Sequence, residues 1–251
     1  MIVSLDLHVH SEASRDGRMP LSEIIRLAKA RGLQGVAVTD HDVLLQNPPR
    51  SEDFLVIPGC EFSTERGHLL GLFLTAPIEP MPFPELIEAI HAQGGIAILA
   101  HPFEHRRDDK RIEPIAHLID GAEIRNSRAA RKNPEANAMA EAWAKRHHLP
   151  GTCGSDAHLP QELGGAYRRY EVPALTLEAV KAAILDPAAA RDTHYRAAKH
   201  VYAARSQWTR LRKTRAGWKR ILKWCVFAVK CCLEDLLGRN ISLPKRRRKG
   251  G

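Results

Sequence analysis

Short apolar runs alternate with stretches of helical periodicity from Met1 to Ala190, and nearly every run stops at a histidine or an acid. The pattern predicts strands over 2–7, 36–39, 54–57, 68–74, 96–100, 122–124 and 151–154. It predicts helices over 21–31, 84–93, 134–147 and 177–185, closed by or near glycine or proline. Such β–α alternation points to a parallel sheet, and so many short apolar strands suit a closed barrel better than an open sheet. No G-x-G-x-x-G follows a strand and no phosphate-cradling P-loop is present, so dinucleotide and P-loop chemistry are excluded.

The punctuating residues carry the chemistry. His8 and His10 end the first strand, His41 the second, and Glu61 follows the third. His68 opens the fourth, His101 ends the fifth, and Asp156 and His158 follow 151–154. In a β/α barrel the strand ends form one mouth, where residues distant in sequence converge. Residues i and i+2 of a strand project to one side, so His8 and His10, or Asp156 and His158, can share a metal. Imidazole with carboxylate suits Zn, Mn and Fe(II). Taken singly, each residue has a plainer explanation. Asp16 before Gly17 is a common turn pair, Asp40 and Asp42 suit helix caps, and Glu61 suits a solvated acid. Eight such residues at strand ends by chance is the improbable alternative.

Read in order, "DLHVHSEASRDG", "VTDHD", "PGCEFS", "GHLLGLF", "LAHP" and "GSDAH" resemble the motifs of the polymerase and histidinol phosphatase (PHP) domain, over residues 4 to 172. The resemblance implies a distorted, TIM-like (β/α)7 barrel and phosphoester hydrolysis by a two- or three-metal site with a bridging hydroxide, the ions being Mn, Fe or Zn. Carried over residue by residue, it implies that His8, His10, Glu61 and Asp156 hold one metal. Glu61, His68 and His101 hold a second. Asp16, His41 and His158 hold a third and serve the leaving oxygen. The segment 69–100, between His68 and His101, is too short for the helical insertion of the nucleotide-hydrolysing branch. Where some members place a further histidine ligand, this chain has Glu123 and Asn126. Arg15, Arg106, Arg107, Arg125 and Arg128 lie on loops near the ligands and suit a phosphate.

Charge divides the chain at about residue 190. Residues 191–251 hold 18 Lys and Arg against 3 Asp and Glu, whereas residues 1–190 hold 20 against 26. This gives a barrel over 1–190 and a basic, mostly helical extension over 191–251, with a polyanionic partner expected for the latter. In the extension Trp218, Leu222, Cys225, Val229, Cys232 and Leu236 follow helical steps and form one apolar stripe. The first expectation is that this stripe docks on the barrel. An anionic membrane surface and a nucleic acid are the competing partners. Five cysteines without a disulfide spacing, and two histidines with Asp6 near the N-terminus, point to the cytoplasm.

The leading function is therefore a metal-dependent phosphoesterase acting on nucleotides or short oligonucleotides. A phosphatase for small molecules such as histidinol phosphate is the alternative within enzymes. A non-catalytic nucleic-acid or membrane adaptor is the alternative outside them.

Overall fold

Strand β1 (Ile2–Val9) is buried at every residue but its first, so both its faces must be covered. The computed structural model, which describes residues 1–105 and 108–238, shows how. Arg106, Arg107 and the basic cluster at 245–249 lie outside the described residues. After β1 come α1 (Leu21–Ala30), β2 (Gly35–His41), β3 (Leu55–Thr64), β4 (Gly67–Leu72), α2 (Phe83–Ala92) and β5 (Ile96–Leu99). Then follow β6 (Gly121–Asn126), α3 (Ala136–Arg146), β7 (Gly151–Gly154), β8 (Ala166–Glu171), α4 (Leu177–Leu185) and β9 (Ala190–Tyr195). Helices α5 (His200–Lys213) and α6 (Trp218–Leu237) close the described chain.

The strands form one sheet in the order β7-β6-β5-β4-β3-β2-β1-β8-β9. Its ring nearly closes where the chain after β7 returns to β1. There His10 N–H donates to Ala157 O at 2.8 Å, and Asp156 N–H to His8 O at 2.8 Å. Asp6 clamps the same seam. Its carboxylate accepts from Ser155 N (2.8 Å), Ser155 Oγ (2.6 Å) and Gly164 N (2.9 Å), and burial pushes its pKa up to about 6 despite these donors. The architecture is thus a distorted, barrel-like α/β sheet with C-terminal helices.

Three expectations need correction. The sheet is mixed: β4 runs antiparallel to both β3 and β5, because only Glu65 and Arg66 separate β3 from β4 and so short a connection permits only a hairpin. Strand β3 does not stop at Pro58–Gly59 but runs on to Thr64. Pro58 is tolerated because its carbonyl, and hence its missing N–H, faces β4, whose ladder begins only at Gly59. Glu61 therefore sits inside a strand, braced by β2 and β4. The apolar-run pattern also omits β8 and β9: β8 is of mixed polarity and β9 is largely exposed, so neither carries such a run. The sheet thus continues past residue 190, where composition changes.

The interior is layered along the barrel axis. Val3, Leu5, Leu7, Ala37, Ile57, Leu70, Leu72, Ile96 and Ile98 pack together with Val180, Ala183 and Ile184 of α4, which closes the apolar end. Continuing each column by steps of two leads to Thr39 and His41, to Gly59 and Glu61, and back along β4 to His68. On β1 the alternation breaks. Leu7 belongs to the inner cluster, yet Val9 packs outward with Ile24 and Ala28 of α1. A register shift between Asp6 and Val9 turns His8 and His10 inward.

Replacing Asp6 by Asn keeps the volume but places an NH2 where every neighbour donates. At neutral pH this variant is expected to lose about 2–4 kcal/mol of stability, measured as a lower urea midpoint at unchanged slope.

Candidate metal centre

Glu61 is the hub. Its carboxylate is 2 % exposed and five imidazoles surround it: His68 Nδ1 at 2.7 Å, His41 Nδ1 at 2.9 Å, His101 Nε2 at 3.1 Å, His10 Nε2 at 3.4 Å and His8 Nε2 at 3.6 Å. An ion buried this deeply is costly unless compensated. Asp156 lies on the opposite side, 3.4 Å from His10 Nε2 and 3.8 Å from His8 Nε2. Asp16 Oδ1 faces His158 Nε2 at 3.3 Å and His41 Nε2 at 3.5 Å. All nine residues expected from the sequence, His8, His10, Asp16, His41, Glu61, His68, His101, Asp156 and His158, thus share one mouth. His101 and Asp156 adopt positive φ (27° and 53°), a conformation L-residues hold only when their surroundings impose it.

The ring orientations are set from outside the cluster. His8 Nδ1 is 3.1 Å from Glu123 Oε1, His10 Nδ1 is 3.0 Å from Ser14 Oγ, and His158 Nδ1 is 2.9 Å from the Asp156 carbonyl. With each Nδ1–H donating outward, each Nε2 turns a lone pair inward. His8 Nε2 and His10 Nε2 then lie only 3.1 Å apart, a repulsive contact unless a proton or a cation sits against them. Glu123 is held in turn by the His101 N–H and by Asn126 Nδ2, both at 2.9 Å from its Oε2. Ser14 Oγ also accepts from His41 N–H at 3.0 Å. Ser11 fastens this loop to Asp40 through its N–H (2.7 Å) and hydroxyl (2.5 Å). Glu123, supported by Asn126, therefore orients the candidate ligands His8 and His101, and Asp40 is a loop anchor.

Sequence reasoning missed Asp6, Ser11 and Ser14, since a Ser or an Asp near a strand end carries no signature of its own. Of the arginines, Arg128 is buried in a two-pronged pair with Glu162 (both contacts 2.7 Å), and Arg125 pairs with Glu141 at 2.6 Å. Neither is free to grip a phosphate. Arg15 is exposed beside the mouth.

Charge and proton affinity follow from this packing. Burial would lower the His8 pKa, but Glu123, Asp156 and Glu61 override it and hold it well above its usual value. His101 is likewise raised to about 9, against the effect of burial, by Glu61 and Glu104. Burial and the neighbouring His158 and His41 push His10 well below its ordinary value. Burial would raise Glu61 and Asp156, yet the surrounding imidazoles pull both well below the carboxylate range.

Divalent cations fit this donor set. Among the described residues, buried Asp16 Oδ1, Glu61 Oε2, His41 Nδ1 and His68 Nδ1 find no hydrogen-bond partner, because their short contacts lack hydrogen-bond direction. Among the described residues, three groups have ligand atoms within 4.8 Å of one another: His8 with Glu61 and His101, His8 with His10 and Asp156, and His10 with His41 and His158. Outer carboxylates that orient metal-bound histidines are commonly worth 10- to 100-fold in affinity. Glu123→Gln turns an NH2 towards His8 or His101, and metal affinity measured by competition with a chromogenic chelator is expected to fall by about that factor.

Comparison with known proteins places the chain. Residues 134–186 match a family model described as PHP-associated. An uncharacterised protein of Methanocaldococcus jannaschii is 28% identical over 179 residues, covering 67% of this chain and 70% of that protein. A 5′-3′ exoribonuclease of Haemophilus influenzae is 37% identical over 82 residues, which span 31% of this chain and 29% of the exoribonuclease. Among solved structures, a two-domain protein of Bacteroides vulgatus containing a predicted PHP-like metal-dependent phosphoesterase superposes with a TM-score of 0.59. That match has 17% identity and covers 83% of this chain and 70% of the other. With its ordered ligand motifs, barrel-like sheet and buried histidine–carboxylate cluster, the chain belongs to the PHP domain family of phosphoester hydrolases.

Proposed function

We propose that this chain hydrolyses phosphate esters of nucleotides or short oligonucleotides with two or three divalent ions, Mn, Fe or Zn. The observation that carries the reading is the inward convergence of the Nε2 atoms of His8, His10 and His158 on Glu61, Asp156 and Asp16, with each outer nitrogen already committed. His8, His10, Glu61 and Asp156 would hold one ion, Glu61, His68 and His101 a second, and Asp16, His41 and His158 a third. Ions bound there supply Lewis acidity and lower the pKa of water to near neutrality. The protein supplies orientation and proton control. Glu123 and Ser14 fix the tautomers of His8 and His10. Burial opposes the charged form of His41, but Glu61 and Asp16 raise its pKa. Where no ion claims its ring, the His41 imidazolium can hand a proton to a leaving oxygen.

A nucleotide substrate is supported by the exoribonuclease relative and by a hollow beside the loop that carries Asp16. This hollow of about 320 Å³ is lined by Arg18, Trp208, Thr209, Arg212 and Lys213. Cations beside an indole suit a phosphate next to a stacked base. A small phosphomonoester is the second reading, since the short segment between His68 and His101 leaves little room for a substrate cap.

The test is a Mn²⁺-supplemented hydrolysis panel of mononucleotides, 3′,5′-bisphosphates, short RNA and sugar phosphates. Turnover of the nucleotide members is expected, with loss of at least about 10³-fold in the His8→Ala, His10→Ala double variant, since its metal would no longer supply the nucleophile. Wild-type turnover by that variant with excess Mn²⁺ would sink the reading, and turnover of histidinol phosphate alone would replace it with the second. Arg18→Ala with Arg212→Ala is expected to raise KM for an oligonucleotide about tenfold, while hydrolysis of bis(4-nitrophenyl) phosphate stays unchanged.

A further inference from the structure

The apolar stripe of α6 does not dock on the barrel, as the sequence led one to expect. Trp218 is 70 % exposed, Leu222 60 %, Val229 61 % and Leu236 79 %, and Cys225 and Cys232 are exposed too. The neighbouring positions Ile221, Val226, Leu233 and Leu237 are also exposed, so the open face is broad. Isolated exposed apolar residues are ordinary, but a contiguous band along the whole of a long helix is a binding surface.

What turns the band outward is a set of polar pins on the opposite face. The Asp235 carboxylate accepts from the first N–H groups of α5, those of His200 (2.7 Å) and Val201 (2.8 Å). Trp224 Nε1–H donates to Ala204 O at 2.8 Å, and its ring packs on Trp208 with centroids 4.6 Å apart. Cys231 and Glu234 are buried on this side. On a helical wheel these positions lie roughly opposite Trp218, Leu222, Val229 and Leu236. The rotation of α6 is therefore fixed by polar contacts that would have to break before the stripe could turn inward.

Charge indicates what covers the face. Lys219, Lys223 and Lys230 share one border of the apolar band on the same wheel. The nearest acid, Glu234, is buried beyond that border and pairs with Lys230 at 3.4 Å, whereas Lys219 and Lys223 are exposed. Lys219 Nζ stands 5.7 Å from the Trp218 ring centroid, so cation and indole mark the start of the helix together. Just before it Arg210, Arg212 and Arg215 are exposed. Among the described residues no helix is long and apolar enough to cross a membrane. A long apolar face bordered by Lys, with an indole at its end, is the make-up of a helix that lies in the interface of an anionic bilayer.

We propose that α6 seats this protein on an anionic lipid surface, its apolar face in the headgroup–acyl boundary and its lysines on the phosphates. A second copy of the chain would bury the apolar face, but it would gain nothing from the lysine border. A nucleic acid would use the lysines but leave the apolar face in water.

The test is flotation of the full chain with vesicles of phosphatidylcholine alone and with vesicles of phosphatidylcholine and phosphatidylglycerol mixed two to one. Binding is expected to the anionic vesicles only and to weaken with salt. Leu222→Glu with Val229→Glu is expected to cut binding at least about tenfold, since both side chains would lose their place among the acyl chains. Lys219→Glu with Lys223→Glu should erase the preference for anionic lipid, since each basic residue near such a surface is worth about fivefold in partition. Both variants should keep the far-ultraviolet circular dichroism and the metal-dependent hydrolysis of wild type, so the result does not depend on the substrate assigned above. Three results overturn the proposal: no flotation of wild type; flotation unchanged in the Leu222→Glu, Val229→Glu variant; or a concentration-dependent dimer, abolished by that variant, that does not bind vesicles. Binding of the full chain to RNA, lost in both variants, with no vesicle binding would reassign the face to nucleic acid.

Discussion

A single buried carboxylate governs the molecule. Glu61 sits mid-strand, paired on one side with His41 of β2 and on the other with Leu70 of β4, so its backbone is braced from both flanks. An anion so far from water requires compensation, and five imidazoles drawn from four separate segments surround it. Most of the fold's irregularities serve that requirement. The register shift in β1 turns two of those rings inward, and the β3–β4 hairpin brings His68 back over the mouth. The positive-φ residues that follow β5 and β7 aim His101 and Asp156. Protons and cations compete for the same lone pairs, so an ion held by His8, His41 or His101 would have to displace protons whose affinity for these rings is raised.

Much of this is legible in the sequence, because apolar runs that end in His or acid mark both a strand and its functional end. Nine candidate ligands follow from that pattern and its resemblance to a known family, and the structure gathers them. What the sequence hides is carried by long-range contacts. Nothing in "IVSLDLHV" shows that the inward face changes between Leu7 and His8. Nor does Asp6 announce that it clamps Ser155 and Gly164, which lie near the far end of the barrel sequence. Glu123 and Asn126 stand out only as alternatives to a ligand. Their role, holding the ring of His8 and the backbone of His101 in place, depends on contacts made across the sheet from β6.

The α6 stripe shows a different limit. Periodicity reveals that a helix has an apolar face, but not which face the rest of the chain will accept. Here a carboxylate that caps the start of α5 and an indole N–H decide against the apolar side. Composition places a border near residue 190, where charge changes sign, while the sheet continues through β9 to Tyr195.

That border is crossed again at the mouth itself. Lys213, at the end of α5, donates to the carbonyls of Glu12 (2.7 Å), Ser14 (2.8 Å) and Gly17 (3.0 Å), the very turn that presents Asp16. Three carbonyls around one ammonium act as a clasp, and the turn has little room of its own, since a Cβ on Gly17 would fall 1.9 Å from the Ser11 carbonyl. The shape of the outermost ligand loop is therefore partly written in the helical hairpin. A barrel cut off at its last strand would keep the histidines of its floor and lose the fastening of its rim.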